Sequence, residues 1–367
     1  MLFLRNGQIS NRHSNKRKIA FLGIAMDYPH RFFVYSSHFL YCVLLYFKKG
    51  IAMRKINGTF FEFKHHNTAE GKYWNPTLAC FQGENWREKI REISTLKMEY
   101  VVVMATALYE KCYFKSSIFP FENMPCSDPI EEILDEADRL DIKVLLGNGF
   151  YGDWRKPKYN ITTKEVIDLS FKAMEELTTL YGHHKSFYGW YFPDETCIIL
   201  HYSKPFLTYV NACSREARLI TPKKKTLIAP YGTNLALTNE RFVRDLTNLD
   251  VDFIAYQDEV GVKKTKVDRT ARIFERLKKA HDKAGRAELW ADIELFDFEG
   301  LVYNSALIPA PFERIRKQIE NVSPYVNNIL AYQYLGLMNP ESSNSFAGHE
   351  HSTTLYNDYL NYLKEIE

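Results

Sequence analysis

The sequence predicts a single-domain α/β fold, a (β/α)8 TIM barrel preceded by a non-barrel N-terminal extension. Short apolar runs alternate strictly with longer amphipathic runs from residue 56 onward, and this order requires parallel strands joined by crossover helices. Eight such units, the last ending on a helix, indicate a closed barrel. An open nucleotide-binding sheet would need a phosphate loop after its first strand, and the sequence contains neither a G-x-G-x-x-G nor a Walker motif.

The eight strands are predicted from apolar runs rich in β-branched and aromatic residues. The first opens with Asn57–Gly58, the second holds a Val-Val-Val run typical of buried parallel strands, and Pro193 closes the fourth. The predicted strands cover residues 56–63, 100–108, 142–147, 187–192, 225–229, 252–256, 288–295 and 328–334.

The eight helices are predicted from amphipathic runs and from their start and stop signals. Asp128 followed by Pro129 is typical of a helix start, and Gly182 and Gly285 are typical of helix ends. The predicted helices cover residues 84–96, 127–140, 163–181, 204–219, 238–249, 268–284, 311–322 and 352–367.

Residues 1–52 form a predicted extension that differs from the barrel domain at 53–367. A basic stretch at 12–18 precedes a weakly apolar run at 32–47, which is shorter than the roughly 20 residues of a membrane span. Three interpretations follow: an export signal or membrane anchor through 32–47, an extension ahead of a true start at Met53, or a structural segment. The first predicts a periplasmic or cell-surface protein, and the others predict a cytoplasmic one.

Composition excludes several classes of partner. The formal net charge of only +3 argues against a nucleic-acid partner. The six cysteines include no C-x-x-C pair and no Cys/His cluster with zinc spacing, so free buried thiols are favoured over a Cys112–Cys126 disulfide. No metal site and no cofactor is predicted. The aromatic share of 15% would fill a core and also supply platforms for sugar rings.

The chemistry of a TIM barrel lies at the carboxyl ends of its strands. In the seventh strand, alternation places Trp290, Asp292 and Glu294 on one face, and the aliphatic residues on the other face suit the helical layer. In the fourth, Tyr191 and Glu195 share the inward face. Because buried carboxylates are costly unless they are paired or functional, Glu195 and Glu294 are the predicted catalytic pair, with a general acid and a partner carboxylate as glycoside hydrolysis requires.

Other strand-end and loop residues are predicted to bind a carbohydrate substrate. Polar side chains there would orient hydroxyl groups, and aromatic ones would stack on sugar rings. The predicted substrate-binding residues are Asn148, Tyr231, Gln257, Asp258, Asp292, Gln333, Tyr334, Trp74 and Trp154.

Four segments carry a resemblance to a known family. They are 58–60 (Gly-Thr-Phe), 189–195 (Gly-Trp-Tyr-Phe-Pro-Asp-Glu), 256–261 (Tyr-Gln-Asp-Glu-Val-Gly) and 290–294 (Trp-Ala-Asp-Ile-Glu). From about Lys55 onward the chain resembles the bacterial barrel family called domain-of-unknown-function family 4434, described as candidate glycoside hydrolases. The layout is also similar to clan A of retaining glycosidases. That resemblance implies Glu195 as acid/base and Glu294 as nucleophile, although the clan usually has Asn where this chain has Asp194.

Two rival functions remain open from the sequence. A non-catalytic carbohydrate-binding barrel would keep the aromatic rim and use its acids only for hydrogen bonding. A metal-dependent barrel hydrolase usually has an H-x-H pair after its first strand, whereas His65 and His66 are adjacent. A Schiff-base aldolase is disfavoured because Lys143 and Lys225 begin their strands, at the wrong end of the barrel.

Overall fold

The computed structural model describes residues 54–367, which form a closed barrel of eight parallel strands. The predicted fold class is confirmed. The barrel closes where the first strand pairs with the last, through Gly58 with Leu330 and Thr59 with Ala331. In chain order the barrel strands are β1 Gly58–Phe61, β2 Tyr100–Val103, β3 Lys143–Gly147, β4 Phe187–Tyr191, β5 Lys225–Ile228, β6 Phe253–Gln257, β7 Glu288–Glu294 and β8 Ile329–Tyr332.

A helix follows each barrel strand. Sequence signals explain several helix ends: the Asp128 side chain accepts a hydrogen bond from the Glu131 amide at 3.0 Å at the start of the second, and Gly285, with φ of 61°, ends the sixth. The helices are α1 Gly83–Thr95, α2 Pro129–Leu140, α3 Lys164–Tyr181, α4 Lys204–Ile220, α5 Glu240–Asn248, α6 Val267–Ala284, α7 Phe312–Val322 and α8 Ser352–Ile366.

Two hydrophobic layers stabilise the barrel. A compact cluster that includes Phe60, Leu145, Tyr191, Leu227 and Trp290 fills its interior. A larger cluster packs the outward faces of the strands against the helices. The alternation predicted for β7 therefore holds, because Trp290 belongs to the interior cluster and Leu289, Ala291 and Ile293 belong to the outer one.

Some predicted boundaries are wrong. The second strand ends at Val103, and Ala107–Leu108 pairs antiparallel with Lys111–Cys112 in a separate hairpin. The eighth ends at Tyr332, two residues before the predicted end. The loops also hold elements that the sequence patterns did not indicate: the short helices Asn75–Leu78 and Pro157–Asn160, a 3₁₀ turn at Thr233–Leu235, and a hairpin that pairs Phe296–Phe298 with Leu307–Pro309.

The predictions for residues 1–52, including the anchor at 32–47, lie outside the described residues. Within 54–367, no helix combines the length and the apolarity that a bilayer crossing requires. The five cysteines in this range, Cys112 and Cys126 among them, are free thiols.

Candidate active site

A cavity of about 410 Å³ opens at the carboxyl end of the barrel. Residues from the ends of β1, β2, β4, β6, β7 and β8 line it, as expected for a TIM-barrel active site. Both predicted catalytic residues, Glu195 and Glu294, lie in its wall, together with Asp292. The structure therefore brings three carboxyl groups from two strands to one cavity.

Glu195 follows β4 by four residues, beyond the turn at Pro193. The hydroxyl of Tyr191 donates a hydrogen bond to its Oε1 atom, and Nε2 of Gln257 donates to its Oε2 atom at 2.6 Å. Burial raises the pKa of Glu195 to about 8, since it outweighs the effect of these two donors. Glu195 is thus a carboxyl group that carries a proton at neutral pH and points into the cavity.

Glu294 is the last residue of β7 and is only 4% exposed. Its Oε2 atom accepts a hydrogen bond from the Val262 amide at 2.8 Å. Burial, followed by the nearby charge of Asp258, raises the pKa of Glu294 above its usual range. One oxygen is therefore fixed by the backbone of the loop after β6. The carboxyl group faces the cavity, and no cation of residues 54–367 lies at ion-pair distance from it.

Asp292 is a third buried acid, 2% exposed, and its Oδ1 atom has no hydrogen-bond partner in the described part of the chain. Burial and the charges of Glu294 and Glu195 raise the pKa of Asp292 well above its usual range. An acid in this position is unfavourable for stability once it ionises, which is typical of groups kept for function.

We predict that Asp292→Asn stabilises the protein at alkaline pH. The raised pKa means that the folded state binds the proton more tightly than the unfolded chain does, so stability falls as pH rises above the ordinary Asp range near 4. The amide removes that dependence. Denaturant titration should show a gain of about 1–3 kcal/mol at pH 8 and almost none at pH 4.

Asp168→Asn, at an exposed position within α3, is the matched control and should change stability by less than about 0.5 kcal/mol at both pH values. An Asp292→Asn protein that is no more stable than the wild type at pH 8 would show that this carboxyl group is well solvated.

A buried network next to the cavity was missed by the sequence patterns. His65 lies between Glu62 and Glu70, with its Nδ1 and Nε2 atoms each 3.0 Å from a carboxylate oxygen. Burial alone would lower the pKa of His65, but the two carboxylates outweigh it and raise this pKa to about 9. Glu70 lines the cavity, so the network adds a fourth carboxylate to its wall. The sequence feature that could have indicated this network is the presence of Glu62, His65 and His66 within five residues after β1.

Glu62, His65 and His66 have ligand atoms within 4.8 Å of one another, a spacing that a metal ion could use. The proton chemistry favours a different reading. Both ring nitrogens of His65 face carboxylates and carry protons when the ring is cationic, and a protonated nitrogen cannot bind a metal ion. The oxygens of Glu62 also accept from Trp74 at 3.0 Å and Gln333 at 2.6 Å. Glu62 and His65 are therefore satisfied by hydrogen bonds to their neighbours, whereas the Nδ1 atom of His66 is buried without a hydrogen-bond partner among the described residues.

Aromatic side chains form much of the remaining wall. Trp154 lies edge to face against His66 with ring centroids 4.5 Å apart, and Tyr231 and Tyr303 flank the ammonium group of Lys264 at 5.3 and 5.7 Å. Tyr303 is 46% exposed and comes from the hairpin that follows β7, so it reaches the cavity from its rim. Such rings present flat apolar faces beside polar groups, as sugar recognition requires.

The sequence profile of the family described as "Domain of unknown function (DUF4434)" matches residues 56–344. The chain belongs to this family. A search of curated proteins finds no match.

Solved structures share the barrel at low sequence identity. A Bacteroides thetaiotaomicron protein described as a candidate α-L-fucosidase is 19% identical with a TM-score of 0.68, and the match covers 86% of this chain and 95% of that chain. An endo-1,4-β-mannanase from Rhizomucor miehei is 12% identical with a TM-score of 0.53, over 85% and 95% of the two chains. A GH2 β-galacturonidase from Eisenbergiella tayi is 11% identical with a TM-score of 0.51, over 84% and 51%. At such identities these matches show the fold alone: a barrel of the kind found in glycoside hydrolases.

Of the predicted substrate-binding residues, Tyr231, Gln257, Asp292 and Trp154 line the cavity. Trp74 and Gln333 do not, which corrects their predicted positions. Both are fully buried and donate hydrogen bonds to Oε1 of Glu62 from behind the wall. Trp74 and Gln333 therefore position the Glu62 carboxylate and do not contact the cavity.

Asn148, Asp258 and Tyr334 also lie away from the cavity, contrary to prediction. The Asn148 amide faces α3 and α4, and the Tyr334 hydroxyl donates to a carboxylate of α1. Asp258 accepts a hydrogen bond from Gln318 of α7 at 2.6 Å. Side chains alternate between the inside and the outside along a strand, and Asn148 and Asp258 each directly follow an inward residue. Applied to β3 and β6, this rule predicts that both side chains point away from the cavity. Tyr334 was expected at the end of a strand covering 328–334, but β8 ends at Tyr332, whose side chain does line the cavity.

Proposed function

We propose that this protein hydrolyses an O-glycosidic bond with retention of anomeric configuration, with Glu195 as general acid/base and Glu294 as nucleophile. One observation carries the proposal: carboxyl groups from the ends of β4 and β7 line the same aromatic-walled cavity. Glycoside hydrolysis uses such a pair, one carboxyl to protonate the leaving oxygen and the other to attack the anomeric carbon.

The hydrogen-bond partners of the two groups support this division of roles, whereas burial raises the pKa of both carboxyl groups alike. Glu195 holds a proton at neutral pH, and the Tyr191 hydroxyl and Gln257 amide beside it can stabilise its carboxylate after the proton has left. Glu294 has one oxygen on the Val262 amide, which leaves the other to attack. Asp292, uncharged when protonated, would sit beside the pair without adding a third negative charge and could hydrogen-bond a sugar hydroxyl.

The reaction would proceed in two balanced steps. Glu195 transfers its proton to the glycosidic oxygen while the C1–O bond breaks, and a Glu294 oxygen bonds to C1 to form a glycosyl ester. Glu195, now a carboxylate, takes a proton from a water molecule whose oxygen attacks C1. The ester bond breaks, Glu294 leaves as a carboxylate, and Glu195 is protonated again. The net reaction consumes one water molecule per bond. Trp154, Tyr231 and Tyr303 would hold the sugar rings by stacking.

The direct test is a panel of aryl glycosides of both anomeric configurations. The wild-type protein should release the aryl alcohol from at least one member. Glu294→Gln should release none, and Glu195→Gln should lose the release from members with a poor leaving group. Glu313→Gln, which changes an exposed glutamate on α7, should match the wild type. Sugar binding without release of product by the wild type would instead favour a non-catalytic carbohydrate-binding barrel.

The proposal also predicts the pH dependence of turnover. Because Glu195 must be protonated to act as the acid and its pKa is raised to about 8, kcat/KM should fall as pH rises through that value. The measurement is a pH–rate profile on a glycoside with a poor leaving group. Glu195→Ala, assayed on the same glycoside, should lose this alkaline limb together with most of its activity. If kcat/KM of Glu195→Ala still falls at the same alkaline pH, the fall reports the ionisation of a group other than Glu195.

A further inference from the structure

The cavity wall is rich in acids and poor in cations. Four carboxyl groups line it, from Glu70, Glu195, Asp292 and Glu294, whereas Lys264 is the one basic side chain with a permanent charge among the described lining residues. The imidazole of His66 lies in the wall as well, and burial and the neighbouring His65 charge lower the pKa of His66 to about 3, so it is neutral. The wall thus carries more potential negative charge than positive charge.

The cations behind the wall do not reverse this balance. The cationic ring of His65 is shared by Glu62 and Glu70, so those three groups together keep one negative charge. The guanidinium of Arg314 donates to the main-chain oxygens of Glu294 at 2.7 Å and Phe296 at 2.9 Å and to the Asp297 carboxylate at 3.0 Å. It is therefore bound behind the strand and does not line the cavity.

Lys264 itself is already engaged. Its ammonium group is 3.6 Å from Oε1 of Glu259. Glu259 is 1% exposed, and neither of its carboxylate oxygens accepts a hydrogen bond from the residues that the structure describes. Moving the ammonium group toward a ligand would leave that buried carboxylate without its counter-charge, which is strongly unfavourable. The rings of Tyr231 and Tyr303 hold the ammonium group from the other sides.

We infer that the bond-cleaving subsite takes an uncharged sugar and rejects sugars that carry a carboxylate or a sulfate. This inference rests on the proposed function and names its substrate class. Recognition of a sugar carboxylate needs an unengaged Arg or Lys that can donate to it. The described lining residues offer none, and the sugar carboxylate would instead share the cavity with Glu70 and with Glu294, which is ionised when it acts as the nucleophile. Placing like charges side by side in a desolvated site lowers selectivity for the charged sugar by about 100-fold or more.

The test compares aryl glycosides of neutral sugars with those of the matching uronic acids, which differ only at C6: glucoside with glucuronide and galactoside with galacturonide. Other neutral pentosides, hexosides and deoxyhexosides complete the neutral set. The best neutral substrate should exceed the best uronide by about 100-fold or more in kcat/KM. An equal or better uronide overturns the inference, most clearly if Lys264→Gln removes that preference, because Lys264 would then be a carboxylate receptor.

A binding measurement keeps this test separate from that of hydrolysis. If uronides are cleaved in a Glu195-dependent manner, the selectivity inference is wrong and the hydrolase proposal stands. If nothing is cleaved, saturation-transfer NMR of the wild-type protein with the free sugars still shows whether the cavity binds neutral sugars or uronic acids. Neutral sugars should show transfer and their uronic acids should not. Binding of the acids in preference, or of neither class, contradicts the inference.

Discussion

Replacing Glu294 by Gln is expected to lower kcat by about 10⁴-fold or more while the protein stays folded. The amide keeps the size of the side chain, and its oxygen can still accept the hydrogen bond from the Val262 amide. It cannot form the glycosyl ester, so the first step has no nucleophile. Since a buried acid with a raised pKa is replaced by a neutral group, the melting temperature at pH 8 should be unchanged or higher.

The decisive comparison uses Glu313→Gln, which makes the same chemical change at a side chain that is 74% exposed. That variant should keep wild-type kcat and KM. Turnover by Glu294→Gln within tenfold of the wild type, in protein free of wild-type contamination, would remove Glu294 from the mechanism.

Replacing Glu195 by Ala is expected to give a loss of activity that depends on the leaving group. A glycoside with a poor leaving group needs protonation of its oxygen and should lose about 10³-fold or more in kcat. A dinitrophenyl glycoside leaves without a proton, so its ester should still form. Breakdown of that ester would then be slow, because no base activates the water.

Azide separates this role from a purely structural one. It needs no general base, so it should accelerate turnover of the dinitrophenyl glycoside by Glu195→Ala and give a glycosyl azide with the configuration of the substrate. A loss of activity that is equal for both leaving groups, with no effect of azide, would mean that Glu195 only supports the fold.

The fold was predictable because its signals are repeated eight times. Each strand is a short apolar run and each helix an amphipathic one, so a wrong boundary in one unit leaves the barrel unchanged. The end of β2 was overextended since residues 104–108 are as apolar as a strand. These residues leave the barrel, and Ala107–Leu108 pairs with Lys111–Cys112 in a hairpin. Tertiary contacts rather than local sequence decide between the two arrangements.

The candidate site was predictable where a strand fixes the side-chain direction. Alternation along β7 correctly placed Asp292 and Glu294 inside. It gives no information on loops, so Trp74 was expected at the rim although it is buried against Glu62, and Tyr303 was not foreseen. The Glu62–His65–Glu70 network depends on the path of the loop after β1, and no local pattern specifies that path.

Covalent trapping tests the central claim most directly. A 2-deoxy-2-fluoro glycoside of the preferred sugar with a dinitrophenolate leaving group should form a stable glycosyl ester. The fluorine slows both formation and breakdown of this ester, and the reactive leaving group restores the rate of formation alone. Peptide mass spectrometry should then locate one sugar on Glu294, and NMR of the natural reaction should show the first product with the anomeric configuration of the substrate. An adduct on another carboxylate such as Asp292, or an inverted product with no adduct, would contradict the account.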